Sequence, residues 1–123
     1  MKQFPIGFWN YTPIDQQDAT AVTDWADAGM TLTMGPNYGA DPAQTKKMRA
    51  ILDAAAAAGI RMILCPTVGY WPHLTQAGED AYRRDFAAAV KALGDHPATF
   101  GFHVGDEPGT KEFADACRAA RIQ

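Results

Sequence analysis

The sequence predicts an α/β protein built on a parallel sheet. Four short, nearly continuously apolar runs, at residues 4–9, 30–34, 61–65 and 99–104, are typical of strands buried on both faces. Amphipathic helical patterns separate these runs. Strand–helix alternation at this spacing favours βαβ units, and their right-handed crossovers bring the carboxyl end of every strand to one edge of the sheet.

The first predicted helix covers about residues 18–28, with Trp25 on its apolar face and Gly29 as a carboxyl-terminal cap. The second covers about residues 42–58 and begins after Asp41, an aspartate suited to capping the amino terminus. Both patterns end at a glycine, so the loops that lead into the next strands are short.

The third predicted helix covers about residues 77–93, with Tyr82 and Phe86 on one apolar face. A fourth begins near Gly109 and runs into the end of the chain. The four strand–helix units admit two architectures, half of a TIM (β/α)8 barrel or a small doubly wound sheet. A whole barrel takes about 250 residues, twice the length of this chain.

The loops after the predicted strands are long and rich in aromatic and polar residues, whereas those before them are short. TIM-barrel enzymes carry their chemistry at the carboxyl ends of the strands, and this asymmetry therefore favours the half-barrel. We expect residues 1–123 to form a single half-barrel domain that is a fragment of a longer chain.

Composition and charge exclude several classes of function. The net charge is −3 and the basic residues are scattered, which argues against nucleic-acid binding. No apolar run approaches the ~20 residues of a membrane helix, and the amino terminus lacks the long apolar region of a signal peptide. The sequence therefore predicts a soluble chain and carries no signal that assigns it to a compartment.

The sequence predicts no cofactor. No glycine-rich dinucleotide fingerprint follows the first predicted strand, and there is no P-loop. The two cysteines, Cys65 and Cys117, are not part of a Cys-x-x-Cys pair, so a structural zinc site has no support. We expect Cys65, at the end of an apolar run, to be a buried free thiol.

Aromatic, amide and imidazole side chains lie at the ends of the predicted strands or just after them, and such side chains stack on sugar rings and bond their hydroxyls. The candidate substrate-binding residues are Trp9, Asn10, Asn37, Tyr38, Tyr70, Trp71 and His103. Structural roles compete with this interpretation. The aromatic residues could cover the end of the core, the asparagines could form turns, and His103 could be a hydrogen-bonded core histidine.

Two acids, Asp106 and Glu107, stand side by side after the last predicted strand and before Pro108. An acid before a proline is a good helix start. Their position at the carboxyl end of a buried strand is also where a barrel places catalytic carboxylates. This position favours Glu107 as a catalytic residue, with Asp106 capping the helix and orienting its neighbour.

The segment "GFHVGDEPG" resembles the acid/base segment of the large clan of retaining glycoside hydrolases built on TIM barrels, and "PIGFWNY" resembles a first strand of such bacterial enzymes. The resemblance implies that Glu107 is the general acid/base. It places Asp106 where the clan commonly has an asparagine that bonds the sugar 2-hydroxyl. The resemblance also implies a nucleophilic glutamate after strand seven, which this chain does not contain.

We therefore expect half of an active site, with little or no glycosidase turnover by this chain alone. Exposed sheet edges predict self-association, or association with the missing carboxyl-terminal half. One alternative is a non-catalytic half-barrel that binds carbohydrate or a partner. A weaker one is a metal-dependent barrel hydrolase using His73, His103, Asp106 and Glu107, although the spacing of these residues matches no familiar metal motif.

Overall fold

Three parallel strands form the sheet of the computed structural model, which describes residues 4–123. The strands are β1 (Leu32–Tyr38), β2 (Arg61–Pro66) and β3 (Thr99–Phe102), and they lie side by side in that order. Both neighbouring pairs are parallel. The predictions of an α/β fold and of a parallel sheet are confirmed.

Five helices alternate with these strands. They are α1 (Ala21–Asp27), α2 (Pro42–Ala57), α3 (Trp71–Ala77), α4 (Glu79–Leu93) and α5 (Phe113–Ile122). None of the helices in the described part of the chain is long and apolar enough to cross a membrane. The start of α2 follows the sequence signals closely, since the carboxylate of its amino-terminal capping aspartate accepts a backbone N–H at 2.6 Å.

The predicted strand at residues 4–9 is an extended segment that lies along β1 without forming a strand. Backbone N–H groups around the start of β1 donate to the carbonyl oxygens of Ile6 and Phe8. The Ile6 N–H, however, donates to a threonine hydroxyl at 2.9 Å and is not available to a backbone ladder. A Cβ at Gly7 would collide with the Leu32 carbonyl, so the close approach requires glycine.

The other three predicted strands are present with shifted ends. β1 begins two residues later than predicted and continues to Tyr38, and its register against β2 shifts between Met34 and Asn37. Pro36 lies inside this shift, and a proline has no N–H to donate to a ladder. β3 ends at Phe102 and leaves His103 in the following loop.

Helix α3 is absent from the sequence prediction. It begins with Trp71 and Pro72, and a proline is favourable in the first helical turn because no N–H is needed there. Gly78 then separates α3 from α4 with a φ of 85°, a conformation that glycine adopts at little cost. The predicted single helix at residues 77–93 is therefore the second of two consecutive helices.

The main core lies between α2 and one face of the sheet. Fully buried side chains of α2, including Met48 and Leu52, pack in one cluster with Met62 and Leu64 of β2. The opposite face is less covered. Ile63 points to that face and lines a shallow groove, and a Cβ at Gly101 would meet no atom within 4 Å.

Candidate functional site

Five side chains gather at the carboxyl ends of the strands and are called the rim cluster here. They are Trp9, Tyr11, Tyr70, His103 and Asp106. Trp9 and Tyr70 contact the His103 ring edge-on, with centroid distances of 5.6 and 5.4 Å. The Tyr11 hydroxyl donates to Asp106 Oδ2 at 3.4 Å. Folding therefore brings the first loop of the described chain against the loop after β3.

His103 occupies the centre of the rim cluster. Its backbone N–H donates to the Leu64 carbonyl at 2.8 Å, which fixes the residue to the end of β2. Burial lowers the pKa of the imidazole, while the Asp106 carboxylate acts in the opposite direction. The buried Nδ1 has no hydrogen-bond partner among residues 4–123, which is uncommon for a polar atom inside a protein.

The acidic pair lies in an exposed turn, residues 105–109, called the acid loop here. The Asp106 Oδ1 accepts the Glu107 backbone N–H at 3.0 Å, and Glu107 has a φ of 43°. Residues other than glycine rarely adopt this left-handed backbone conformation, and those that do are often found at functional sites. The carboxylates of both acids face solvent.

Asp106 does not cap a helix. The first residue of α5 is Phe113, and Glu112 occupies the amino-terminal capping position. The helix-start interpretation of Asp106 is therefore wrong, because six residues separate this aspartate from the helix. The carboxylate instead connects Tyr11 to the Glu107 backbone.

Tyr11 links the two acids electrostatically. Loss of solvation raises the pKa of its phenol, and the negative charges of Asp106 and Glu107 raise it further. The Tyr11 hydroxyl thus remains protonated and can donate to a carboxylate. The side chain of Glu107 therefore lies near the rim cluster, since its charge raises the pKa of Tyr11.

A buried layer of polar side chains lies beneath the rim cluster, at the ends of β1 and β2. The Tyr70 hydroxyl donates to Asn37 Oδ1 and lies beside the Cys65 thiol. Burial raises the pKa of Cys65 to about 12, and it also raises the pKa of Tyr38 and of Tyr70. This layer is uncharged at neutral pH. The prediction of a buried free thiol at Cys65 is confirmed.

The remaining predicted site residues support the loops. Asn10 is buried, and its side chain donates to Gln17 Oε1 at 2.8 Å and accepts the Thr12 N–H at 2.9 Å. Its amide shapes the first loop through these two bonds. Trp71 packs under the acid loop, where its ring lies 2.7 Å from the position of a Cβ on Gly105.

Tyr11 is the residue of the rim cluster that was not predicted from the sequence. Its signal was its place in the aromatic and polar loop after the first predicted strand, directly following Trp9 and Asn10. The contact that gives it a role joins residues that are 95 positions apart. Nothing in the local pattern indicates which aromatic residue of that loop reaches the acids.

Of the four residues proposed for a metal-dependent hydrolase, His73 lies apart from the other three. His73 Nε2 lies 2.9 Å from Asp85 Oδ2, a partner on α4, whereas His103 belongs to the rim cluster. Within residues 4–123 there is no group of three histidine, cysteine, aspartate or glutamate side chains that could hold a metal ion. The donor set therefore does not fit a metal centre.

The site thus combines two exposed carboxylates, a half-buried imidazole whose pKa is lowered by burial, and three aromatic rings at the carboxyl edge of a parallel sheet. Such a set can stack against an apolar ring face, bond hydroxyl groups and transfer a proton. No model of a protein family matches this chain, and no curated protein is significantly similar to it in sequence.

Proposed function

We propose that the rim cluster and the acid loop form the acid/base half of a retaining glycoside hydrolase site, with Glu107 as the general acid/base. The supporting observation is the placement of Asp106 and Glu107 after the carboxyl end of β3, where Asp106 contacts Tyr11 of the aromatic rim cluster. In TIM-barrel enzymes this edge of the sheet carries the catalytic residues. The three-stranded parallel sheet is in this proposal part of a half-barrel.

The chemistry assigns a role to each group. Glu107 protonates the glycosidic oxygen as the bond to the leaving group breaks, and then removes a proton from water in the second step. Asp106 holds the acid loop through the Glu107 N–H and Tyr11. His103 positions the Trp9 ring through their edge-on contact, and Trp9 offers its half-exposed ring to a sugar face.

A retaining mechanism requires a second carboxylate about 5 Å from the first. We propose that it comes from outside this chain, either from the other half of the barrel or from a second copy. β3 is the edge strand of the described sheet, and Phe100 on it is 53% exposed. An exposed edge with an apolar side chain favours pairing with another chain. Sedimentation at micromolar concentration tests this, and a clean monomer counts against self-association.

The role of Glu107 is tested with deoxynojirimycin, a cationic iminosugar that resembles the positively charged transition state of glycoside hydrolysis. We expect Glu107→Gln to weaken its binding at least tenfold, measured by calorimetry. Glu112→Gln, which alters the chain's next glutamate, serves as the matched control and keeps the affinity of the native chain. Equal weakening by both substitutions, or no binding by the native chain, contradicts the proposal.

A second candidate is a module that binds neutral carbohydrate without catalysis. The observation that favours it is the strong exposure of both acids, since a general acid with a raised pKa is usually desolvated. In this case Trp9→Ala abolishes binding of glucose or galactose oligosaccharides, whereas Glu107→Gln leaves that binding within twofold of the native chain. Calorimetry with the two variants separates the candidates.

A further inference from the structure

The acid loop joins two fixed points of the backbone. Before the loop, the Val104 carbonyl accepts the Trp71 backbone N–H at 2.7 Å. At its far end, the Gly109 carbonyl accepts the Glu112 N–H at 3.0 Å. Between these bonds lies Glu107, the one residue other than glycine with a positive φ in the part of the chain that the structure describes. A change in the loop is therefore confined to the few residues between the two bonds.

The backbone of Glu107 has a conformation that its neighbour in the sequence opposes. Its φ of 43° is a left-handed value, which costs free energy for any residue with a Cβ. The next residue is Pro108, and a residue before proline favours an extended backbone with φ of about −120°. The observed conformation is held by Asp106 Oδ1, which accepts the Glu107 N–H at 3.0 Å. Rotation of the peptide unit between these two acids would relieve the strain at the loss of this bond.

Two buried polar atoms without a hydrogen bond lie beside the same loop. Within residues 4–123 the structure shows three such side-chain atoms, and two of them are Trp71 Nε1 and His103 Nδ1. The Trp71 ring lies directly against the loop, since its Nε1 would be 3.2 Å from a Cβ on Gly105. The indole N–H is shielded from solvent, so a partner for it has to come from the protein. The acid loop is the segment in contact with the indole that can supply an oxygen atom.

We infer that the acid loop is a two-state element, and that rotation of the Asp106–Glu107 peptide unit converts one state into the other. In the second state Glu107 is extended, as the following proline favours, and an oxygen atom of the loop accepts the Trp71 indole N–H. The Asp106 carboxylate then releases the Glu107 N–H and keeps the Tyr11 hydroxyl. The switch moves the Glu107 carboxylate between two positions relative to the rim cluster.

The two states are balanced because each satisfies a group that the other leaves unsatisfied. The observed state pairs the Glu107 N–H and keeps the unfavourable φ, whereas the second state relieves φ and pairs the indole. A minor state of a balanced pair is commonly populated to about 0.1–10%. The inference does not rest on the proposed glycosidase function, because it concerns backbone and indole groups and needs no ligand.

The test is NMR relaxation dispersion on the isotopically labelled chain, which detects exchange between states on the μs–ms timescale. We expect dispersion at the backbone amides of Asp106 and Glu107 and at the indole N–H of Trp71, with one exchange rate for all three signals. The indole signal is identified by its loss in Trp71→Phe. Flat profiles at these groups, or an indole rate that differs from the rate of the two amides, would overturn the inference.

A pair of variants at Glu107 tests the role of the backbone strain. Glu107→Gly should lower the population of the second state about fivefold, because glycine adopts the observed φ without steric cost. Glu107→Ala is the matched control, since it removes the carboxylate but keeps the Cβ and the following proline. Its population should stay within about twofold of the native chain. Equal populations in the two variants would contradict the switch, because the strain would then have no influence on it.

Trp71→Phe tests the role of the indole, because it removes the N–H and keeps an aromatic ring beneath the loop. We expect the population of the second state, measured at the Asp106 and Glu107 amides, to fall about threefold with the loss of this hydrogen bond. Trp25→Phe, a substitution in the main core, is the control and leaves the population unchanged. Unchanged α2 signals show that each variant keeps its fold. A native population in Trp71→Phe would mean that the indole has no part in the switch.

Discussion

The core beneath α2 and the acid loop after β3 differ in the burial of their side chains and in the strain of their backbone. In the core, residues such as Ile51 and Leu52 are fully buried, and the predicted helix is observed almost residue for residue. In the acid loop, Asp106 and Glu107 face solvent, and Glu107 has a left-handed backbone conformation. The first region is arranged for stability, whereas the second holds exposed charges in a costly conformation, as functional sites often do.

The largest expected effect lies in the core. Leu52→Ala should lower the free energy of unfolding by about 2–5 kcal/mol, because it removes buried methyl groups and leaves a cavity beneath the sheet. Urea denaturation measures the change. Leu52→Met, which nearly conserves volume, should cost less than about 1.5 kcal/mol. Similar losses in both variants would show that packing volume does not determine stability there.

A substitution in the loop that contains Asn10 should have an intermediate effect on the free energy of unfolding. Asn10→Ala should cost about 1–3 kcal/mol, because it removes two hydrogen bonds and leaves the Gln17 amide oxygen without its donor. The same denaturation experiment measures it, with exposed Gln16→Ala as the control. A loss below about 0.5 kcal/mol would mean that the loop keeps its shape without the asparagine.

The rim cluster should make the free energy of unfolding depend on pH. Because burial lowers the pKa of His103 below its unfolded value, the unfolded chain binds the proton more readily. The stability contribution of neutral His103 is therefore present above the unfolded pKa of about 6.5 and is lost as the pH falls below it. His103→Gln should flatten this part of the stability profile. An unchanged slope between about pH 6.5 and 5 would exclude this role.

The smallest expected effect is in the acid loop and has the opposite sign. Glu107→Gly should raise the free energy of unfolding by up to about 1 kcal/mol, because glycine adopts positive φ without steric cost. Glu107→Ala should leave stability nearly unchanged, since it keeps the strain. Thermal unfolding of the pair measures the difference. A destabilised glycine variant would show that the carboxylate contributes to stability, which would weaken the contrast with the core.

The same contrast explains how much of the fold could be predicted from the sequence. The continuous apolar run of β2 and the capped, periodic pattern of α2 reflect burial against the sheet, and both are observed with nearly the predicted bounds. Residues 4–9 carry an equally apolar pattern. They fail to form a strand because Gly7 presses against β1 and the Ile6 N–H bonds a side chain. Such tertiary contacts leave no periodic signal.

The types of side chain at the candidate site could be predicted from the sequence, whereas most of the contacts between them could not. The order of strands and loops indicated that Tyr70 and His103 would meet at one edge, and they do. The bond between Tyr11 and Asp106, the buried amide of Asn10 and the support from Trp71 depend on how distant loops pack. The spacing of residues along the sequence does not indicate these contacts between loops.

The packing beneath the acid loop has a consequence for engineering. Trp71 and Val104 pack in the second hydrophobic cluster, with Leu74 of α3 and Ala119 of α5. The backbone N–H of Trp71 donates to the Val104 carbonyl at 2.7 Å. The loop that carries the acids therefore rests on the seam between two helices. A substitution between these two helices, for example at Ala119, would therefore move the two carboxylates without changing either acidic residue.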